Sequence, residues 1–143
     1  MRSRAVLFCG LALSLAGPLR NLAGQEGLTA AAERVRGAWL AHDVRTIVAG
    51  SPGVTLRIPG ADPSAAISPG QAGELLSRYL QNAVERSTEV SVVREVEAGQ
   101  GFVELIRRYV VRGTSEAREE RIYVGIRTVA GGRWVVVELR TGR

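Results

Sequence analysis

A chain of 143 residues holds one hydrophobic core and is too short for two. Its formal charge of +5 comes entirely from arginine, yet Arg107 and Arg108 are the only adjacent pair and no aromatic residues interleave with a basic run, which argues against nucleic acid as a partner. The single cysteine, Cys9, lies in an apolar N-terminal stretch, so residues 25–143 carry no thiol for a disulfide, a thiolate metal site or a cysteine nucleophile.

Residues 1–24 read as a secretory signal peptide. Arg2 and Arg4 form a basic start, an apolar run follows from Ala5 to Gly17, and Ala23 and Gly24 precede a cut before Gln25; a second cut after Ala16 fits through Ser14 and Ala16. The run is short of the roughly 20 apolar residues that span a bilayer. The expectation is an exported domain over residues 25–143, periplasmic or secreted, with no stable membrane insertion after cleavage. Losing Arg2, Arg4 and Arg20 lowers the formal charge from +5 by three, to +2.

Thr29 is placed to cap a helix from Ala30 to about His42, whose stripe of Ala31, Val35, Ala38 and Trp39 faces a core. Asp43 offers a second cap, for a short helix through Val44, Ile47 and Val48 that ends at Gly50, Ser51, Pro52 and Gly53. A short strand follows at Val54 to Ile58. Ser68, Pro69, Gly70 and Gln71 then form a capping box with proline at the first helical position, and that helix continues to about Ala83 with Leu75, Leu76, Tyr79 and Leu80 on its apolar face.

Beyond Ser87 the period becomes alternating, and four strands are expected: Ser87 to Val96, Phe102 to Arg112, Glu119 to Thr128 and Trp134 to Arg140. A two-residue turn at Gly131 and Gly132 sets Ile126 opposite Val137 and Val124 opposite Leu139. A longer loop from Gly113 to Arg118 sets Leu105 beside Ile126, and a turn at Gly99 and Gln100 sets Val96 beside Val103. One sheet face then carries Val90, Val92, Val96, Val103, Leu105, Val111, Ile122, Val124, Ile126, Val135, Val137 and Leu139, and it must meet the helices. Glu95, Glu104, Arg127, Arg108 and Tyr123 fall on the other face.

The succession helix, short helix, short strand, helix and four meandering strands resembles the nuclear-transport-factor-two-like, or cystatin-like, α+β superfamily. The stretch Val54 to Pro59, the string Ser68, Gln71, Ala72, Leu75, Leu76, Tyr79, Leu80 and Asn82, and the strands around Tyr123 and Trp134 are similar to an exported bacterial family known as domain of unknown function 4783. The resemblance covers roughly residues 28 to 141. It implies helices packed on a curved, mostly antiparallel sheet in the order α-α-β-α-β-β-β-β, with a cone-shaped pocket beneath the first helices. It implies no particular activity, because the matching residues are packing and capping residues.

Arg94 and Arg107 interrupt the apolar face, diagonal on neighbouring strands with Tyr109 close by, and Trp39 and Tyr79 lie on helix stripes facing the same region. Two guanidiniums and a phenol there suit a small anion. His42 and Asp43 form the only histidine–carboxylate pair in sequence, but Asp43 has a capping role and Glu95, Glu104 and Glu138 face outward. Phosphate loops, nucleophile elbows and metal-ligand spacings are absent, so neither a cofactor nor a metal is expected. The expected function is non-catalytic binding of a small anionic ligand or a protein partner, with a homodimer through the outer face at Trp134, Val136, Ile106 and Tyr123. A small lyase or isomerase is the alternative, and an inward carboxylate beside His42 would favour it.

Overall fold

Capping chemistry sets the first half of the chain. A computed structural model describes residues 19–63 and 65–142; the basic start, the apolar run and Cys9 lie outside the described residues. Helix α1 spans Leu19–Leu40, so Thr29 sits on the exposed side of its interior instead of capping it. The helix crosses the expected cut before Gln25, and it buries Leu28, Ala31, Ala32, Val35, Ala38 and Trp39. His42 adopts a left-handed conformation (φ 54) and the Asp43 N–H donates to the Ala38 carbonyl at 2.8 Å, which closes α1.

Asp43 then caps helix α2, Val44–Val48, accepting from the Thr46 N–H at 3.2 Å and the Thr46 hydroxyl at 2.6 Å. Those two hydrogen bonds, the hydroxyl's first, hold the Asp43 carboxyl below the usual carboxylate range. After strand β1 (Thr55–Arg57), helix α3 (Pro69–Leu80) starts on the full capping box, with Ser68 and Gln71 exchanging hydrogen bonds of 3.2 Å. It stops at Leu80, short of Ala83, and no described helix is long and apolar enough to cross a membrane.

The four long strands are β2 (Ala83–Glu97), β3 (Gln100–Val111), β4 (Ala117–Thr128) and β5 (Trp134–Gly142). The sheet order is β1-β5-β4-β3-β2, with β1 parallel to β5 and the other pairs antiparallel. The fold is α+β in the order expected from the sequence.

Registers differ from the expectation in a way that decides which residues face inward. The β3–β4 loop is shorter than expected, which pairs Leu105 with Ile122 instead of Ile126; the displacement is even, so both stay on the same face. At the β4–β5 turn the Val129 N–H donates to the Arg133 carbonyl, leaving three residues in the loop instead of two. Ile126 therefore pairs with Val136, and a bulge at Val137 restores the expected Val124–Leu139 pair. This local shift turns Trp134 and Val136 into the core, 6% and 1% exposed, so neither lies on the outer face where a dimer contact was expected.

Strand β2 is interrupted three times, between Glu85 and Ser87, Val90 and Val92, and Glu95 and Glu97. Each extra residue reverses the alternation. Val93 consequently pairs with Val103 where Val96 was expected, and Val92 and Val96 are exposed. The same reversals send Arg94 outward and Glu85 inward.

The core lies between the inner sheet face (Val103, Leu105, Ile122, Val124, Ile126, Leu139) and the buried stripes of α1, α2 and α3. Each fully buried aliphatic side chain contributes about 1.5–3 kcal/mol. At Gly101 a β-carbon would lie 2.7 Å from Leu28 Cδ1, so glycine is what lets α1 come down onto β3.

Candidate functional site

Beyond Leu105 and Ile122 the inner face becomes polar. Arg107 on β3 pairs with Thr88 on β2 and Glu120 on β4; the next inward row is Glu85, Tyr109 and Arg118. The C-terminal ends of α1 and α3 bring Trp39, His42 and Tyr79 over these rows.

Arg107 is the centre of the cluster and is 1% exposed. Its Nε donates to Glu85 at 3.3 Å, its Nη2 also donates to Glu85, and its Nη1 donates to Glu120 at 3.3 Å. The guanidinium carbon lies 3.9 Å from the Tyr109 ring centroid, 5.4 Å from that of Trp39 and 5.7 Å from that of Tyr79. A charge this deep is tolerable only when it is paired and its faces covered, and here each guanidinium nitrogen donates to a carboxylate and three rings cover it.

The two carboxylates have different neighbours. Glu85 is almost sealed, with its side chain 3% exposed, and it meets His42 Nε2 at 3.1 Å. Glu120 is 16% exposed and accepts from the Tyr79 hydroxyl as well as from Arg107. Burial first, and then that carboxylate, push the Tyr79 phenol well above the usual tyrosine range. Tyr79 is therefore a protonated donor and not a base.

A cleft of about 980 Å³ opens on the Glu120 side, lined by Arg57, Ile58 and Pro59 from the β1 end, by Tyr79 and Tyr109, and by Arg118, Glu119 and Glu120. His42 and Glu85 are not among its walls. Arg118 at the rim donates to Glu116 at 2.8 Å, and Glu116 first and the Tyr109 hydroxyl second raise its pKa. Trp39 Nε1 and Thr88 Oγ1, both buried, have no hydrogen-bond partner among the described residues.

Of the five residues expected to form a ligand site, the structure gathers Trp39, Tyr79, Arg107 and Tyr109 and separates Arg94, which lies exposed on the outer face over the Phe102 ring at 5.9 Å. The bulge between Val90 and Val92 is the physical reason. Arg107 does not present itself to a small anion, because two carboxylates and three rings enclose it. The inward carboxylates, Glu85 and Glu120, were missed. Glu120 is two residues before the apolar Ile122, so its inward direction was readable from strand alternation; Glu85 was not, because a bulge sets it.

Neither a family model nor a curated protein matches this chain. Solved structures do match. A ketosteroid isomerase-like protein from Erwinia carotovora atroseptica aligns with a TM-score of 0.67 at 19% identity, over 82% of this chain and 93% of that one. A domain-of-unknown-function 4783 family protein from Bacteroides uniformis aligns with a TM-score of 0.61 at 18% identity, over 78% and 94%. A putative isomerase from Bacillus subtilis aligns with a TM-score of 0.60 at 14% identity, over 82% and 86%. The chain thus has the nuclear-transport-factor-two-like fold, as its order of elements implied. At these identities the likeness establishes architecture alone.

Proposed function

We propose that the domain is a non-catalytic binder of a small polar ligand, received in the cleft at Tyr79, Tyr109 and Glu120. The observation that carries this reading is the asymmetry around Arg107: its positive charge is enclosed, while Glu120, 16% exposed, lines the cleft. A carboxylate has about four lone-pair sites, and Arg107 and Tyr79 occupy two of those on Glu120. The remainder suit a ligand that donates hydrogen bonds, such as an amine or amide, rather than an anion held by Arg107. Thermal-shift measurements with panels of small amines, amides and carboxylates test this. Amine or amide donors should raise the melting point of the parent and not of the Glu120→Gln variant. Stabilisation by carboxylates that survives Glu120→Gln would overturn it.

A second reading, a small lyase or isomerase, is supported by the same carboxylate, which stands beside a phenol in a cleft large enough for a substrate. It predicts that the chain catalyses deuterium exchange at an acidic C–H of a bound carbonyl compound and that Glu120→Gln abolishes the exchange. The inward carboxylate beside His42 that favours this reading is present, as Glu85 at 3.1 Å, but the pair does not line the cleft and Arg107 stands between it and Glu120.

Export is proposed on the N-terminal signal alone. Mass spectrometry of protein from a secreting host is expected to give a mature N-terminus at Gln25, and recovery of only the full chain would refute it.

A further inference from the structure

The outer sheet face carries, at its centre, rings flanked by arginines. Phe102 on β3 and Tyr123 on β4 stack with centroids 5.9 Å apart and planes inclined by 27°. Arg94 on β2 lies over Phe102 at 5.9 Å, and Arg140 on β5 lies over Tyr123 at 4.5 Å. The ladder Arg94, Phe102, Tyr123, Arg140 crosses four strands. Beside the rings, Gly125 is the direct partner of both Phe102 and Glu138, and a β-carbon there would come within 3.2 Å of Glu138 Cβ. Glycine is what lets Glu138 Cβ lie this close to β4.

Other arginines on this face are neutralised: Arg121 by Glu104 and Arg108 by Glu119, each at 3.0 Å. Arg94 and Arg140, and Arg127 two residues along β4 from Gly125, are exposed and make no ion pair among the described residues. A guanidinium lying over a ring is already partly ordered, and its N–H edge is left free for a carboxylate.

We propose that this ladder docks an extended acidic segment of a partner protein. Charge complementarity argues for it, and the geometry sets the spacing. Strands β2 and β5 are separated by three inter-strand steps, about 14 Å, and Arg140 lies two residues, about 7 Å, along β5 from the row of Arg94, so the two backbones are about 16 Å apart. An extended chain covers that distance in between four and five residues, and of these only the separation i to i+4 points both side chains to the same side, with the long arginine side chains covering the difference. Two acidic side chains four residues apart reach Arg94 and Arg140, and the residue midway between them settles over the rings. A second copy docked by the same patch sets like charges against each other.

The test uses the full chain and fluorophore-labelled peptides of the pattern Glu-Ala-Phe-Ala-Glu, with the separation of the two acids varied and binding read by fluorescence anisotropy. The expected result is saturable binding that is strongest at a separation of four and weakens with salt. Arg94→Gln and Arg140→Gln should each weaken it roughly fivefold, and Arg45→Gln on α2 should leave it unchanged. Both outer-face arginines are exposed, so unchanged melting curves verify that the variants are folded. Three results overturn the proposal: no saturable binding at any separation, binding indifferent to separation or to Arg94→Gln and Arg140→Gln, or a dimer in sedimentation that the double variant dissociates, which would assign the face to a second copy.

Discussion

Along the inner side of β3, Val103 and Leu105 are surrounded by carbon, whereas Arg107 and Tyr109, next on the same face, are held by carboxylates and rings. Both ends turn inward, but for different reasons. Aliphatic side chains gain by leaving water, and each contributes separately. A buried guanidinium gains only if its partners are all present, so the polar end is stable as a set or not at all. The difference also bears on function: the apolar end is closed, and the polar end is where the cleft opens.

The sharpest way to break this comparison is Arg107→Met. It leaves Glu85 and Glu120 facing each other without a cation, and the expected cost is about 3–5 kcal/mol. For a domain of this size that is a melting point roughly 10–20 °C lower. Replacing Glu85 and Glu120 by apolar residues of similar size in the same chain should recover most of the loss while removing the cleft's carboxylate. If the triple variant melts no higher than Arg107→Met alone, the cluster does not act as a set.

At the apolar end, Leu105→Ala should cost about 3 kcal/mol by denaturant titration, and no neighbouring substitution short of refilling the volume should rescue it. Rescue by a polar change nearby would erase the distinction between the two ends.

Tyr79→Phe removes one hydrogen bond to Glu120 and should cost about 1–2 kcal/mol near neutral pH. The sign with pH follows from the raised phenol. The folded state holds that proton more tightly than the unfolded chain does, so the contribution is present below the usual tyrosine range and fades as pH rises beyond it. The phenylalanine variant should therefore lose part of the parent's alkaline destabilisation. Equal alkaline melting profiles would disprove the Tyr79–Glu120 contact.

Asp43→Ala, far from either end, should lower the melting point by roughly 3–6 °C by uncapping α2. Because the Asp43 carboxyl is held below its ordinary range, this difference should be full at neutral pH and shrink as pH falls through the acid range. An unchanged or higher melting point would remove its capping role.

Local chemistry was legible where a few adjacent residues suffice. The caps at Asp43 and Ser68, the order of elements and the inward direction of Arg107 are all readable from the sequence. The start of α1 was not, because Thr29 is as acceptable on an exposed helix surface as at a cap. Trp134 and Val136 were assigned to the wrong face because one extra loop residue shifts the alternation, and nothing in Gly131 and Gly132 distinguishes a two-residue turn from a three-residue one.

Sequence by itself determined the α+β order, the two caps, the apolar rows of β3 and β4 and the presence of Trp39, Tyr79, Arg107 and Tyr109 near one another. Tertiary structure alone decided that Arg94 leaves that group and Glu85 joins it, and that Arg107 is neutralised instead of open to a ligand. The physical reason lies in β2, where each bulge inserts one residue and reverses every side chain after it. A period-two pattern carries no record of where such a residue is inserted, because the insertion is fixed by how β2 pairs with β3 and how α1 packs over them.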